Sequence, residues 1–398
     1  MNPLSQRVIN MQESATIAMA QKARDLKAKG VDVISLSIGE PDFKTPVHIQ
    51  QAAKEAIDSQ EYFGYPPVPG YPDFREVIAN KFREENNIDC SAANIVVSTG
   101  AKQSIANIMM SMMDPGDEVI VLSPYWVSYV DVIKVAEGVP VYVKGSIDDN
   151  FKASAAQIEA AITDKTKMMI FSSPCNPSGE VFTREEIDSI VSVLERHKDI
   201  YVVSDEIYEH INFTGEHVSI GSYASIKDRV ITVNGVAKAF AMTGWRIGYI
   251  CAPVEIARAC TKIQGQFTSA ANGIAQRAAM AALKADLSST KAMRDEYFER
   301  RQMVYDLLQQ IPGLRTVMPD GAFYFLPEVS SFFGKSAGDW QVNNASDLCM
   351  YLLEEARVSV VTGEAFGVPE CFRLSYAASR DDLKEALKRI AEALAKLQ

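Results

Sequence analysis

The chain reads as an α/β protein: a mostly parallel central sheet flanked by helices, with a smaller α+β domain built from both chain ends. Three observations carry that reading. Between about residues 90 and 255, short β-branched runs alternate with helical periodicity. From about residue 290 the pattern changes to long charged helices followed by short strands. The length of 398 residues exceeds what one ordinary core fills, so two domains are expected.

Taken in order, residues 1–30 form a polar lead into an amphipathic helix. NIVVSTG (94–100) is a strand that runs into AKQSIANIMMSMM, whose apolar spacing is helical. DPGDEVIVLSP, KMMIFSSP, IYVVSDEIY, RVITVNG and RIGYICAP supply further strands, each ended by Gly, Pro, Ser or Asp. GAFYFLPEV, ARVSVVTGE and CFRLSYA follow as short strands before a terminal amphipathic helix. The expected division is a large domain over 45–290 and a small, discontinuous one from 1–44 and 291–398.

Composition narrows the function. An apolar fraction of 47% and a charged fraction of 23% are those of a soluble globular protein. A net charge of −11 with no basic stripe argues against nucleic acid or an anionic membrane as partner. The start, MNPLSQRVINMQ, lacks a signal-peptide core, and no run of about 18 apolar residues occurs. A cytoplasmic location is expected. Six scattered cysteines form no CxxC pair and four histidines do not cluster, so buried free thiols and no metal site are expected.

Ligands of such sheets gather at the carboxyl ends of the strands, where four segments stand out. Gly100-Ala101-Lys102 opens a helix: either an ordinary start or a cradle of free backbone N–H groups for a phosphate. Neither GxGxxG nor GxxxxGK[ST] is present. Asn176, between two prolines in SSPCNPSG, is a turn opener or an amide aimed at a ligand oxygen. Asp205 and Tyr208 close VVSDEIYEH, where the acid is a helix cap or a buried charge in need of a cation. Lys238 lies between Ala237 and Ala239, with Arg246 eight residues on. A free ammonium among such small residues needs a chemical reason.

SIGEPDFKTP, EYFGYPPVPGYPDFRE, DPGDEVIVLSPYWVSY, NPSG, VSDEIYEH, VNGVAKAFAMTGWRIGY, DGAFY and FRLSYA follow one another along nearly the whole chain. In that order they resemble the pyridoxal-phosphate-dependent class I aminotransferases of fold type I, in the aspartate aminotransferase branch. The resemblance implies that Lys238 forms the Schiff base with the cofactor aldehyde and later carries the substrate proton, as base and then acid. It implies that Asp205 faces the pyridine nitrogen and that Tyr208 and Asn176 donate to the ring oxygen. Trp126 stacks on the ring, and Gly100, Ala101, Lys102 and Arg246 hold the phosphate, with Tyr65 from a second subunit of a homodimer.

For substrate, the resemblance implies that Arg373 clamps the α-carboxylate beside the Gly39 backbone, with Trp126 and Asn176 also lining the pocket, and that Lys102, Ser14 and Thr16 meet a distal carboxylate. The resemblance sets Gln12 where related enzymes carry a basic residue or Gln, which implies acceptance of prephenate; an exposed polar helix entry is its other reading. Ala237, Ser178 and Thr362 depart from the family's usual Ser, Thr and Pro, and Thr362 leaves the inter-domain loop less rigid. The implied reaction moves the amino group of aspartate or glutamate to a 2-oxo acid. The alternatives are a prephenate, aromatic or neutral amino acid aminotransferase, a lyase using the same cofactor, and a catalytically silent regulator.

Overall fold

The computed structural model describes residues 3–9, 11 and 13–398. Gln12 falls outside them. Seven strands form the central sheet: β1 (Ile95–Ser98), β2 (Glu118–Ser123), β3 (Val139–Lys144), β4 (Thr166–Ser172), β5 (Tyr201–Asp205), β6 (Val230–Gly235) and β7 (Gly248–Cys251). Their spatial order is β1-β7-β6-β5-β4-β2-β3. All neighbours are parallel except β7, which runs antiparallel to both β1 and β6. The strands named in the sequence are all present. VPVYVK, the β3 edge strand, was not anticipated: its residues are half-exposed and carry a proline, so it lacks the apolar run of the buried strands.

The inner strands β6 and β7 are buried along their length and β5 all but at Tyr201, and β1 at one edge is buried too. Helices cover them because each fully buried Val or Ile contributes about 1.5–3 kcal/mol. The helices that matter for the site are α1 (Ala15–Ala28), α2 (Pro72–Glu85), α3 (Ala101–Met112), α4 (Val254–Phe267), α5 (Gly273–Lys284), α6 (Ser288–Leu308) and α7 (Arg380–Leu394). α3 turns Ile105, Ile108 and Met109 inward. α7 buries Leu383, Leu387, Ile390 and Leu394 at helical spacing, as its amphipathic sequence requires.

Three apolar clusters flank the central sheet and draw on residues between Ile49 and Ala282. A separate cluster joins Met19–Leu36 to Met293–Leu397, with Tyr208 and Ile211 reaching into it. It contains a small antiparallel sheet of β8 (Tyr324–Phe325), β9 (Val361–Thr362) and β10 (Phe372–Ser375), in the order β9-β10-β8. A parallel pair, Ile34–Ser35 with Val358–Ser359, ties the two chain ends together. All six cysteines are buried and free. No helix among the described residues is long and apolar enough to cross a membrane.

Candidate active site

The sheet presents the carboxyl ends of β4, β5 and β6 along one edge, and a cavity of about 270 Å³ opens there. Ser172 ends β4 and pairs with Asp205, which ends β5 and pairs with Val233 of β6. β6 then leads through a tight turn, closed by Met242 N–H to the Ala237 carbonyl (3.0 Å), that presents Lys238. Because β7 runs backwards, its start, not its end, lies at this edge, and so Arg246 arrives there too. β1 delivers Gly100 at the start of α3. Gly100 has φ +84, and a side chain there would meet Arg246 Nη2 at 2.4 Å; only glycine fits. The small sheet closes the cavity with Arg373 on β10 and Tyr324 on β8.

Gly39, Gly100, Ala101, Lys102, Trp126, Asn176, Asp205, Tyr208, Lys238, Arg246, Arg373, Ser14 and Thr16 all line this one cavity. Tyr65 does not; it is 98% exposed on this chain. Two contacts differ from expectation. Arg373 Nη2 donates to the Ser37 carbonyl (2.6 Å), whereas the Gly39 carbonyl accepts from Lys238 Nζ (2.6 Å). Gly39 cannot carry a side chain, since one would strike the Tyr324 hydroxyl at 1.9 Å, and its carbonyl is thereby turned to the lysine.

Asp205 is the single acid of the lining, against Lys102, Lys238, Arg246 and Arg373. Those cations have neutral partners: Gly39 for Lys238, Thr243 for Arg246, Asn176 and Ser37 for Arg373, and the Trp126 ring for Lys102. In a protein of net charge −11 this is a pocket built for anions. Burial pushes the Lys238 ammonium down to about 8, with Arg373 and Arg246 acting the same way and Glu40 opposing. Burial raises the Asp205 carboxyl to about 6, while Tyr129 donates its hydroxyl to Oδ2 (2.6 Å) and Ile207 N–H donates to Oδ1 (3.3 Å). Partial burial and nearby Arg246 hold Lys102 below its ordinary value.

Sequence reasoning passed over Tyr129, Tyr324 and Ser172. Tyr324 donates to or accepts from the Tyr208 hydroxyl (2.6 Å) and lies under the Arg373 guanidinium, 4.6 Å from it. Both tyrosines stand in segments that the sequence had flagged, SPYWVSY and DGAFY, but nothing in the spacing says which ring turns inward.

A family profile described as "Aminotransferase class I and II" matches residues 31–390. The chain belongs to the class I and II aminotransferases. This aminotransferase is 43% identical over 395 residues to an aspartate/prephenate aminotransferase of Nitrosomonas europaea, covering 98% of this chain and 99% of that one. It is 43% identical over 394 residues to a counterpart from Cereibacter sphaeroides, with 97% of each covered. Among solved structures, an aspartate aminotransferase from Rhizobium meliloti superposes with a TM-score of 0.96 at 39% identity over the full length of both. One from Thermus thermophilus, solved with maleate, gives 0.93 at 41% identity over 99% of this chain and 100% of that one.

The enzyme is therefore a pyridoxal-phosphate-dependent aminotransferase of fold type I. The residues present fit that cofactor. Thr16 Oγ1, Ser172 Oγ and Arg373 Nε are buried in the lining without a hydrogen-bond partner among the described residues. The first turn of α3 has no side-chain cap, which leaves the Ala101 and Lys102 amides beside Arg246 as a dianion cradle. Asp205, buried and in no ion pair among the described residues, suits a protonated ring nitrogen.

Proposed function

We propose that the chain is an aspartate aminotransferase, moving the amino group of aspartate or glutamate to a 2-oxo acid in two half-reactions that use the one cavity in turn. The observation that carries this is Arg373. It is a guanidinium only 2% exposed, with no carboxylate against it among the described residues, in one cavity with a lysine whose ammonium burial lowers to about 8. A buried cation without a counter-ion is costly, and a substrate carboxylate in a two-bond fork would complete it. Asn176 Oδ1 accepts from Arg373 Nη1 (2.9 Å) and so fixes the fork while leaving its own amide N–H groups for a ligand.

Bound pyridoxal phosphate supplies an aldehyde for the amine and a cationic ring that draws electrons from the substrate Cα. The residues of this chain do the rest. Lys238 would be the amine that holds the aldehyde, and when released its Nζ would serve as the base that takes the substrate Cα proton and as the acid that delivers it to the cofactor carbon on the far side of the amino nitrogen. Burial in the cavity lowers that ammonium to about 8, so a far larger share of it is neutral near pH 7 than for an ordinary lysine. Asp205 would hold a proton on the ring nitrogen, with Tyr129 donating to the acid and aiming it. Tyr208 and Asn176 would donate to the ring oxygen, with Trp126 against the ring face. Gly100, Ala101, Lys102 and Arg246 would take the phosphate. Arg373 sets which Cα bond faces Lys238, and orientation decides the reaction.

A role for Gln12 in accepting prephenate is proposed from the sequence alone; Lys102, in one cavity with Ser14 and Thr16, is read as the seat of the distal carboxylate. Maleate in the Thermus thermophilus structure, a dicarboxylate, supports that reading. Prephenate, also a dicarboxylate, is a second reading favoured by the names of the bacterial relatives. The enzyme is proposed to be cytoplasmic and homodimeric. Its domains are proposed to divide as 45–290 against 1–44 with 291–398. Mixing purified holoenzyme with single amino acids and following cofactor absorbance tests the substrate class. Aspartate and glutamate should convert the aldehyde form to the amine form. An equal response to alanine and lysine would overturn the dicarboxylate assignment.

A further inference from the structure

Two of the six thiols stand apart from the rest. Cys90 lies in the loop between α2 and β1, and Cys251 ends β7, opposite Ile95 of β1. They are far apart in sequence, yet their thiols sit within hydrogen-bonding reach of each other. Both line a second cavity, of about 110 Å³, with Asn94, Lys227, Thr232 and Ala252. Cys90 is 8% exposed and Cys251 5%, so each keeps a little accessible surface.

The two sulfurs are chemically unequal. A hydrogen bond from Cys251 holds the Cys90 thiol below its ordinary value, with the Arg83 guanidinium assisting and burial, Asp89 and Glu76 opposing. Arg83 is fixed there by donating Nη1 to the Cys90 carbonyl (2.5 Å). Cys251 is held up by the same hydrogen bond and by burial, with Glu206 adding to it. The remaining cysteines, Cys175, Cys260, Cys349 and Cys371, are raised by burial alone or chiefly by it. Two thiols lining one cavity, the first holding its proton less tightly than an ordinary cysteine and the second more tightly, are the arrangement of an attacking and a resolving thiol.

We propose that Cys90 and Cys251 are a peroxide-sensitive dithiol that closes to a disulfide at the base of β1 and β7. The cavity admits an oxidant the size of hydrogen peroxide. Cys90 sulfur attacks one peroxide oxygen and the O–O bond breaks; the departing hydroxide takes a proton and becomes water. Cys90 is left as a sulfenic acid. Cys251 then loses its proton and attacks Cys90 Sγ, breaking the S–O bond and releasing hydroxide that leaves as the second water. Two thiols are oxidised by two electrons in all, and one peroxide is reduced to two waters.

Treating the holoenzyme with hydrogen peroxide, alkylating under denaturing conditions and mapping peptides by mass spectrometry tests this. The expected product is one linked pair, Cys90 to Cys251, lighter by two hydrogens and restored by a reductant, with the other four cysteines alkylated. In the Cys251→Ser variant, Cys90 should remain a sulfenic acid that dimedone traps. In Cys90→Ser, Cys251 should stay alkylatable. Recovery of both thiols free after peroxide, or linkage of either to another cysteine, would overturn the proposal. So would a Cys251→Ser protein, shown folded by retained activity, that gives no dimedone adduct at Cys90.

Discussion

Glu180 follows Gly179 in the loop that carries Asn176 and is only 3% exposed, with Oε1 lacking a hydrogen-bond partner among the described residues. Burial raises its carboxyl to about 8, with Asp320 pushing the same way, Lys152 opposing and Glu186 adding a little. The folded chain thus holds a proton that the unfolded chain releases near pH 4.5. Stability falls as pH rises from about 4.5 to 8, and Glu180→Gln should flatten that slope; urea midpoints measured across this range check it. A variant with an unchanged slope would show that Glu180 does not hold the proton. At the reacting centre, Lys238→Ala should lower kcat by about 10²–10⁴-fold while the fold persists, read by steady-state kinetics beside a circular dichroism spectrum. Lys238 and Asp205 stood out in the sequence because a charged residue among small or apolar neighbours is a local anomaly, whereas Arg373 was reached only through the family resemblance of FRLSYA. Tyr129 and Tyr324 were not, since an aromatic in an apolar run looks like core until the backbone turns it. The Glu180 environment also depends on Asp320, which no local pattern brings near.

Beneath the strand ends, a buried ionic network ties α2 to the segment after β5. Lys81 of α2 donates to Glu209 and to Asn86 Oδ1 (2.6 Å). Asn86 Nδ2 donates to Glu209 (2.6 Å) and Glu206 (3.1 Å), and Asn234 of β6 donates to Glu209 (2.7 Å). Burial alone would raise the Glu209 carboxyl, but Lys81, His210 and His217 hold it well below the usual carboxylate range. Glu206 and Glu209 flank Asp205 and Tyr208, so this network fixes the backbone that the site uses. Lys81→Met strands a buried anion and should destabilise the chain by about 3–5 kcal/mol. Adding Glu209→Gln should recover most of that. Urea unfolding of the single and double variants decides it, and no recovery in the double variant would assign the loss to packing of the lysine stem. The elements themselves were readable wherever periodicity was strong; β3 was missed because an edge strand needs no continuous apolar run.

At the scale of the molecule, the chain alone leaves Tyr65 standing in solvent, 98% exposed, although its segment fits the family's order. If it completes the partner's site in a homodimer, a hybrid of one Lys238→Ala subunit and one Tyr65→Ala subunit contains one native site and one doubly impaired one. Under limiting cofactor such a hybrid, isolated with two different tags, should regain about half the native activity, while each parent homodimer remains deficient. Hybrids no better than their parents would remove Tyr65 from the neighbouring site. Subunit pairing of this kind leaves its trace in the sequence only as an aromatic with no core to join.

The reversed strand β7 has a mechanical consequence. Gly235 pairs with Gly248, so residues 236–247 form a single loop pinned at both ends, and that loop holds both Lys238 and Arg246. The amine and the guanidinium cannot be tuned independently by lengthening the chain between them. An inserted residue would slide one against the other and pull the proposed phosphate anchor out of step with the proposed reacting nitrogen. Useful variation in such an enzyme is therefore confined to the walls contributed by other segments, leaving this loop at fixed length.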